Sequence, residues 1–133
     1  MATRSLIGVK KKDKSYDVIY CHWDGYPEGV GVTLLENYNT EELVEKLISY
    51  GDMSSIGETT EECVFYHRDR EEEFSTSNYK TKEELDEAYK NSWCGYLYIF
   101  NKDVWYCNDA KLEEVLKEKG IVVANKMLKE AEE

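Results

Sequence analysis

The stretch CHWDGYPEGVG, residues 21–31, decides how we expect this chain to fold. It contains three of the eight glycines and the only proline, so the chain must turn here. The Asp24 side chain can accept hydrogen bonds from backbone amides ahead of it, Gly25 permits a positive φ, and Pro27 fixes φ in the following turn. The pattern predicts a tight loop that leaves a strand and enters a helix at residues 29–31.

Runs of β-branched and aromatic residues predict the strands of one sheet. These runs are residues 5–10, 16–22, 62–67, 93–100 and 104–107. The first two runs flank the basic connection 11–15 and predict an antiparallel hairpin. The last two flank residues 101–103, which suit a hairpin turn, and they contain the densest β-formers of the chain. We therefore expect this second hairpin to form the centre of the sheet.

Capping patterns predict the helices. Thr40 and Gly51 have the positions of an N-cap and a C-cap glycine, and apolar residues recur at helical spacing between them. Thr81 begins a capping box of the form Thr-x-x-Glu, so a second helix should start there and end near Asn91. Asp109 is the predicted N-cap of a third helix over residues 110–119. A terminal helix is predicted over residues 121–128.

The order of these elements, ββ-α-β-α-ββ-α, predicts an α+β fold. We expect a single domain over residues 1–133, with a mostly antiparallel sheet of about five strands and two to four helices on one face.

Charge is concentrated in the middle of the chain. The net charge is -11, and residues 36–73 carry twelve acidic residues against three basic ones. An acidic field repels nucleic-acid phosphates and favours basic partners, so direct nucleic-acid binding is not expected. The polar start of the chain and the absence of CxxC pairs predict a cytosolic protein with free thiols, and no apolar run has membrane-spanning length.

The same charge predicts where a protein partner would bind. The candidate partner-binding residues are Glu61, Glu62, Asp69, Glu71, Glu72 and Glu73. The alternative interpretation is a solvated acidic surface that serves only solubility.

Residues 23–31 form a second candidate site. The candidate ligand-binding residues are Trp23, Asp24, Tyr26, Gly29 and Gly31. Open amides at a glycine-lined helix start can hold a phosphate or carboxylate, and Trp23 or Tyr26 could stack on a base. The glycine spacing matches neither the P-loop nor the Rossmann fingerprint. The alternative is a structural loop around a buried Trp23.

Zinc binding and catalysis are weaker alternatives. The residues that they would use are Cys21, His22, Cys63, His67, Cys94 and Cys107 for metal or thiol chemistry, and Asp24 with Glu28 for carboxylate chemistry. The spacing lacks the pairs of a zinc module, and neighbouring residues of a strand point to opposite faces. A buried cysteine commonly acts as a small apolar residue. We therefore expect no metal, no cofactor and no enzymatic activity.

Residues 19–31, followed by an amphipathic helix and by residues 51–57, resemble a family of small, largely uncharacterised proteins of phages and prophages. Residues 96–100 and Trp105 are similar to the closing hairpin of that family. The resemblance implies a binding protein that blocks a host defence component, such as a CRISPR effector, in the host cytosol. Two mechanisms are open: the acidic surface occupies a basic nucleic-acid groove, or the 23–31 loop sequesters a nucleotide signal.

Overall fold

A computed structural model describes residues 2–121. The strands are β1 (Ser5–Lys10), β2 (Tyr16–Cys21), β3 (Met53–Ser55), β4 (Val64–Phe65), β5 (Ser77–Tyr79), β6 (Tyr96–Asn101), β7 (Val104–Cys107) and β8 (Ala110–Lys111). The helices are α1 (Val32–Asn37), α2 (Glu41–Ser49), α3 (Tyr66–Arg70), α4 (Lys82–Lys90) and α5 (Leu112–Glu118), with a π-helical turn at Pro27–Gly31 and a 3₁₀ turn at Thr60–Glu62. The terminal helix expected over 121–128 lies, apart from Ile121, outside the described residues.

The strands form one mixed sheet, which confirms the α+β class. Its order is β4-β3-β2-β1-β6-β7-β8, and β5 pairs with β2 beside β3. β1 pairs parallel with β6 and β2 pairs parallel with β3, whereas the other pairings are antiparallel, as expected for most of the sheet. Residues 2–121 contain eight strands and five helices, so the expected numbers were too low. The predicted second hairpin, β6–β7, which we call the closing hairpin, lies inside the sheet, but the central strand is β1.

Helices cover both faces of the sheet, so the prediction of helices on one face is wrong. On one face, α1, α2 and α5 bury a large core against Ile7 and Val9 of β1. On the other, Leu85 of α4 packs with Leu6 of β1 and Leu97 of β6. β1 is consequently buried on both sides, as a central strand between two helical layers should be.

The two capped helices confirm the capping predictions. The Thr40 Oγ1 accepts a hydrogen bond from the Leu43 amide at 3.2 Å, and the Thr81 Oγ1 accepts one from the Glu84 amide at 3.1 Å. The Glu84 carboxylate accepts the Lys80 N–H at 2.9 Å. The second hydrogen bond of the capping box is therefore made by the residue before the N-cap. Gly51 ends α2 with φ +85°, where glycine avoids the left-handed strain of other residues.

The predicted boundaries of the strand over 62–67 and of the helix at Asp109 are wrong. The strand expected over 62–67 is only Val64–Phe65, because the Asp69 carboxylate accepts the Phe65 N–H at 2.7 Å and starts α3. Asp109 does not cap a helix. It lies in a turn with φ 72° and pairs with Lys82 at 2.8 Å, and the next residues form β8 before α5 begins.

The closing hairpin turns through two residues rather than three. Lys102 and Asp103 have φ values of 50° and 67°, which are the paired positive angles of a type I′ turn. A two-residue turn of this type matches the right-handed twist of the strands. Asn101 therefore belongs to β6 and not to the turn.

Asp52 forms hydrogen bonds to three separate segments of the chain. Its carboxylate accepts the Tyr20 N–H at 2.9 Å, its own N–H donates to the Ser75 carbonyl at 2.9 Å, and its carbonyl accepts the Tyr66 N–H at 3.2 Å. Burial raises the pKa of the Asp52 carboxyl, and the hydrogen bonds from Tyr20 and Ser75 only partly oppose this shift. The folded protein therefore binds this proton more tightly than the unfolded chain does.

Because burial disfavours the ionised Asp52 carboxylate, its ionisation lowers the stability of the fold. Replacing Asp52 should remove this destabilisation. A raised folded-state pKa lowers stability above that pKa, and the penalty disappears as the pH falls towards the ordinary value of 3.8. Asp52→Asn keeps an oxygen for the Tyr20 N–H, so it should raise the free energy of unfolding at neutral pH by less than about 1 kcal/mol, since the exposed part of the group is screened. The gain should vanish at acidic pH in urea unfolding.

Asp103→Asn makes the same replacement at an exposed position and is the matched control against which the change at Asp52 is read at both pH values. An Asp52→Asn variant that loses the same stability at both pH values would show that hydrogen-bond geometry, not ionisation, governs the site.

Candidate functional site: the elbow and the acidic segment

The elbow, defined as residues 21–31, connects β2 to α1 as predicted. After Cys21 the chain runs beside β3, where the His22 N–H donates to the Met53 carbonyl at 3.1 Å and the Trp23 N–H to the Ser54 carbonyl at 2.9 Å. It then turns at Asp24, whose φ is 58°. The positive φ therefore falls on Asp24 and not on Gly25.

Gly25 is needed for close approach to the end of the sheet. Its N–H donates to the Thr3 carbonyl at 2.8 Å, and a Cβ at this position would lie 2.8 Å from that same oxygen. The Gly25 carbonyl accepts the buried Tyr98 hydroxyl at 2.7 Å. The elbow is thereby fastened to the segment just before β1 and to the middle of β6.

Two backbone N–H groups in the glycine-rich part of the elbow are already hydrogen-bonded within the elbow. The Gly29 N–H donates to the Tyr26 carbonyl at 2.9 Å, and the Val30 N–H donates to the Asp24 carbonyl at 2.8 Å. The premise of a phosphate cradle is therefore wrong at these two residues. The helix that follows, Val32–Asn37, has only six residues.

Only three of the five predicted ligand-binding residues line a common pocket. Trp23, Asp24 and Gly29 line a surface pocket of about 180 Å³. Tyr26 is 37% exposed and donates its hydroxyl to the Asp24 carboxylate at 3.0 Å. Gly31 is buried, and a Cβ there would contact Leu112 at 3.1 Å, so Gly31 is a packing residue.

Trp23 is 46% exposed, so the interpretation of the elbow as a loop around a buried tryptophan is wrong. Its ring meets the ring of His22 edge-on, with centroids 4.7 Å apart. The indole is therefore supported on one side and accessible on another.

The acidic segment, defined as residues 61–73, has all six predicted carboxylates exposed. Glu61 and Glu62 lie in the 3₁₀ turn, Asp69 lies in α3, and residues 71–73 follow α3. Asp69 is already engaged, because its carboxylate accepts the Arg68 guanidinium at 2.8 Å, which with the Phe65 N–H lowers the Asp69 pKa. The other five carboxylates are better placed to meet a partner.

The two arginines within the acidic segment, Arg68 and Arg70, make contacts inside the fold. Arg68 donates to Asp69 and to the Thr60 and Cys63 carbonyls, both at 2.9 Å. Arg70 stacks on the Tyr66 ring at 5.5 Å from the centroid. Their charges are therefore fixed beside α3, while residues 71–73 extend beyond it.

No protein-family model, curated protein or solved structure matches this chain. The resemblance to small phage proteins therefore rests on the quoted motifs alone. No helix within residues 2–121 is long and apolar enough to cross a membrane.

The cysteines and histidines are dispersed. Across residues 2–121, no three His, Cys, Asp or Glu side chains gather where they could hold a metal ion. Burial raises the pKa of Cys21 to about 12 and that of Cys107 to about 11, which disfavours the thiolate that a nucleophile requires. His22 pairs through Nδ1 with the Tyr20 hydroxyl at 2.6 Å, whereas His67 contacts the Glu72 carbonyl at 3.0 Å.

Trp93 is the residue that sequence reasoning missed. The predicted strand includes Trp93, but β6 begins at Tyr96, and Trp93 is 88% exposed with φ 64°. A bulky residue in the left-handed region is a genuine outlier, and such strain is concentrated at functional sites. The turn-forming neighbours Ser92 and Gly95 were the available signal.

Relieving this strain should stabilise the fold. Trp93→Asn, which introduces a residue that tolerates left-handed backbone, is expected to raise the free energy of unfolding by about 1 kcal/mol. Urea unfolding measures the change. Trp23→Asn is the control, because Trp23 is also exposed but has no positive φ, and it should give no gain. Equal effects of the two substitutions would refute the assignment of strain to Trp93.

Proposed function

We propose that this protein is a phage- or prophage-encoded inhibitor of a host defence component, of the anti-CRISPR type, and that it acts by binding rather than by catalysis. The supporting observation is the acidic segment, in which five exposed carboxylates lie free of the arginine contacts that engage Asp69. The partner would be a protein with a basic nucleic-acid groove in the host cytosol.

Carboxylates can imitate phosphates in such a groove. A negative surface accelerates encounter with a positive one and disfavours partners of like charge. Glu71, Glu72 and Glu73 are consecutive and exposed, and the left-handed Glu71 (φ 55°) ends α3, so the chain changes direction there. This arrangement spreads negative charge beyond the helix towards solvent.

Nucleotide sequestration by the 23–31 loop is the alternative, and the elbow geometry gives it less support. The Gly29 and Val30 amides are already hydrogen-bonded, and two acidic residues, Asp24 and Glu28, are among those that line the same pocket. A phosphate would meet negative charge there instead of open donors.

Affinity capture from a bacterial host lysate, followed by native mass spectrometry, tests the proposal. We expect a protein with a basic nucleic-acid groove, released by salt and displaced by added nucleic acid. A bound nucleotide, together with a rise in thermal stability on adding nucleotides, would replace the proposal with the alternative.

A further inference from the structure

A pocket of about 210 Å³ lies beside the first turn of α4, on the face of the sheet that α4 covers. We call it the α4 pocket. It is lined by Tyr16 of β2, Ile99 and Asn101 of β6, Tyr106 of β7, Lys82 of α4 and Asp109 of the turn before β8. It shares no residue with the elbow or with the acidic segment, so it is a separate place on the molecule.

Tyr16 brings an unpartnered hydroxyl to the α4 pocket. The residue is only 5% exposed, because its ring packs with Leu85 and Ile99. The hydroxyl makes no hydrogen bond within residues 2–121, yet Ser5 Oγ is the only side-chain atom there that is both fully buried and unpartnered. The Tyr16 hydroxyl therefore reaches solvent, through the pocket that Tyr16 lines. Because burial already fixes the ring, a ligand that bonds this hydroxyl loses little side-chain entropy.

The charges that line the α4 pocket cancel. Lys82 Nζ lies 2.8 Å from Asp109 Oδ1, and it also pairs at 2.7 Å with Asp86, which does not line the pocket. An anion would meet the Asp109 carboxylate, and a cation would meet the Lys82 ammonium. The lining therefore favours a neutral ligand.

The other polar groups of the pocket both donate and accept hydrogen bonds. Asn101 and Tyr106 are half-buried, and in the described part of the chain neither side chain has a hydrogen-bond partner. With Tyr16 they supply one amide and two hydroxyl groups. Ligand hydroxyls also donate and accept, so they are the complementary partners. Tyr106 and the buried Ile99 add apolar surface, and the negative face of an aromatic ring suits ligand C–H groups.

We propose that the α4 pocket binds a neutral monosaccharide in its pyranose form. The hydroxyls of such a ring point outwards on all sides and meet groups from β2, β6 and α4 together, whereas a nucleobase carries its polar atoms only on its edge. The pocket is smaller than the roughly 300–1,000 Å³ of sites for drug-sized ligands, so it suits one sugar ring and not a nucleotide. This inference goes beyond the proposed function and does not rest on it.

Titration of the isotope-labelled full chain with glucose, galactose, mannose and N-acetylglucosamine, followed by NMR, tests the proposal. We expect at least one sugar to cause a saturable shift of the Ile99 and Asn101 backbone amide signals, with a Kd on the order of 1–10 mM. The amide signal of Asn37, on α1 at the opposite face of the sheet, should not follow. The open-chain polyol sorbitol should bind at least about threefold more weakly, because it loses internal rotations on binding.

Three tyrosine-to-phenylalanine variants separate binding from folding. Tyr16→Phe keeps the buried ring and removes a hydroxyl that has no partner within residues 2–121, so it should fold and weaken sugar binding about threefold or more. Tyr106→Phe should weaken binding similarly. Tyr96→Phe makes the same change on the opposite face of the sheet and is the control, with an unchanged Kd. Urea unfolding confirms that each variant is folded.

Four results would overturn the proposal. They are the absence of a saturable shift with any of the sugars, sorbitol binding as tightly as the best sugar, an unchanged Kd in both Tyr16→Phe and Tyr106→Phe, and binding of acetate or adenosine in place of sugars. None of them bears on the acidic segment, which is tested with a captured protein. Failure here and failure of the proposed function are therefore distinguishable.

Discussion

Gly29→Ala is expected to lower the free energy of unfolding by about 2 kcal/mol. A Cβ at Gly29 would lie 2.5 Å from the Asp24 carbonyl oxygen and 3.0 Å from the Tyr26 ring, and the first of these atoms belongs to the backbone. Overpacking of this kind costs typically 1–3 kcal/mol, and the better helix propensity of alanine returns about 1 kcal/mol at most. The free-energy cost of the steric clash therefore exceeds the gain from the helix propensity of alanine. Urea unfolding measures the difference.

Gly95→Ala is the matched control for this prediction. The nearest atom to a Cβ at Gly95 is the Arg4 carbonyl oxygen at 3.9 Å, which is ordinary contact. This substitution should change stability by no more than about 0.5 kcal/mol. If Gly29→Ala were equally neutral, the elbow would be a loose loop, and its closed backbone could not be what holds Trp23 and Asp24 in place.

Tyr98→Phe is expected to lower the free energy of unfolding by about 1–3 kcal/mol. The Tyr98 side chain is fully buried and its hydroxyl donates to the Gly25 carbonyl at 2.7 Å. Burial raises the pKa of this hydroxyl, so it stays protonated and remains a donor. Removing it leaves a buried carbonyl without its partner, which is worse than losing an exposed hydrogen bond.

Tyr96→Phe is the control for Tyr98→Phe. Tyr96 stacks on Tyr98 with ring centroids 6.3 Å apart but is only half-buried. Its hydroxyl has no hydrogen-bond partner within residues 2–121, so its loss should be nearly neutral. Comparable losses from both substitutions would mean that ring packing, and not the bond to Gly25, fastens the elbow to β6.

Local sequence signals predicted the elements that are built from local contacts. Thr40 and Thr81 cap helices because a hydroxyl three residues before an amide needs no tertiary partner. The first hairpin follows from its β-forming runs, and its antiparallel strands, Ser5–Lys10 and Tyr16–Cys21, agree with the predicted runs to within one residue. These parts of the fold depend on neighbours in the chain.

The elements that were missed depend on distant contacts. β3, β5 and β8 have two or three residues each, too few for a periodic pattern, and they exist because β2 and β7 offer free edges. The amphipathic pattern of α4 predicted that one side of the helix is buried. It did not predict against which face of the sheet that side packs. The parallel pairing of β1 with β6 joins segments far apart in sequence.

The candidate sites likewise combine features that the local sequence predicts with features that depend on distant contacts. Sequence located the elbow and the exposed acids, because turn residues and charge density are local properties. It did not show that the Gly29 and Val30 amides are closed, since that depends on where Asp24 and Tyr26 place their carbonyls. It also missed the exposed Trp93, because an aromatic residue beside a strand ordinarily belongs to it.

Reversing the charge of the acidic segment tests whether this segment recognises a basic partner. The measurement is the affinity of the captured partner, as a function of salt, for the wild-type chain and for the Glu71→Lys/Glu72→Lys/Glu73→Lys variant. The control reverses three exposed glutamates elsewhere, Glu83, Glu87 and Glu118, for the same change in net charge. We expect only the Glu71–Glu73 variant to lose affinity, by about tenfold or more, and with it most of the salt dependence. Equal affinity for the wild-type chain and the Glu71–Glu73 variant, or equal losses in the two variants, would contradict it.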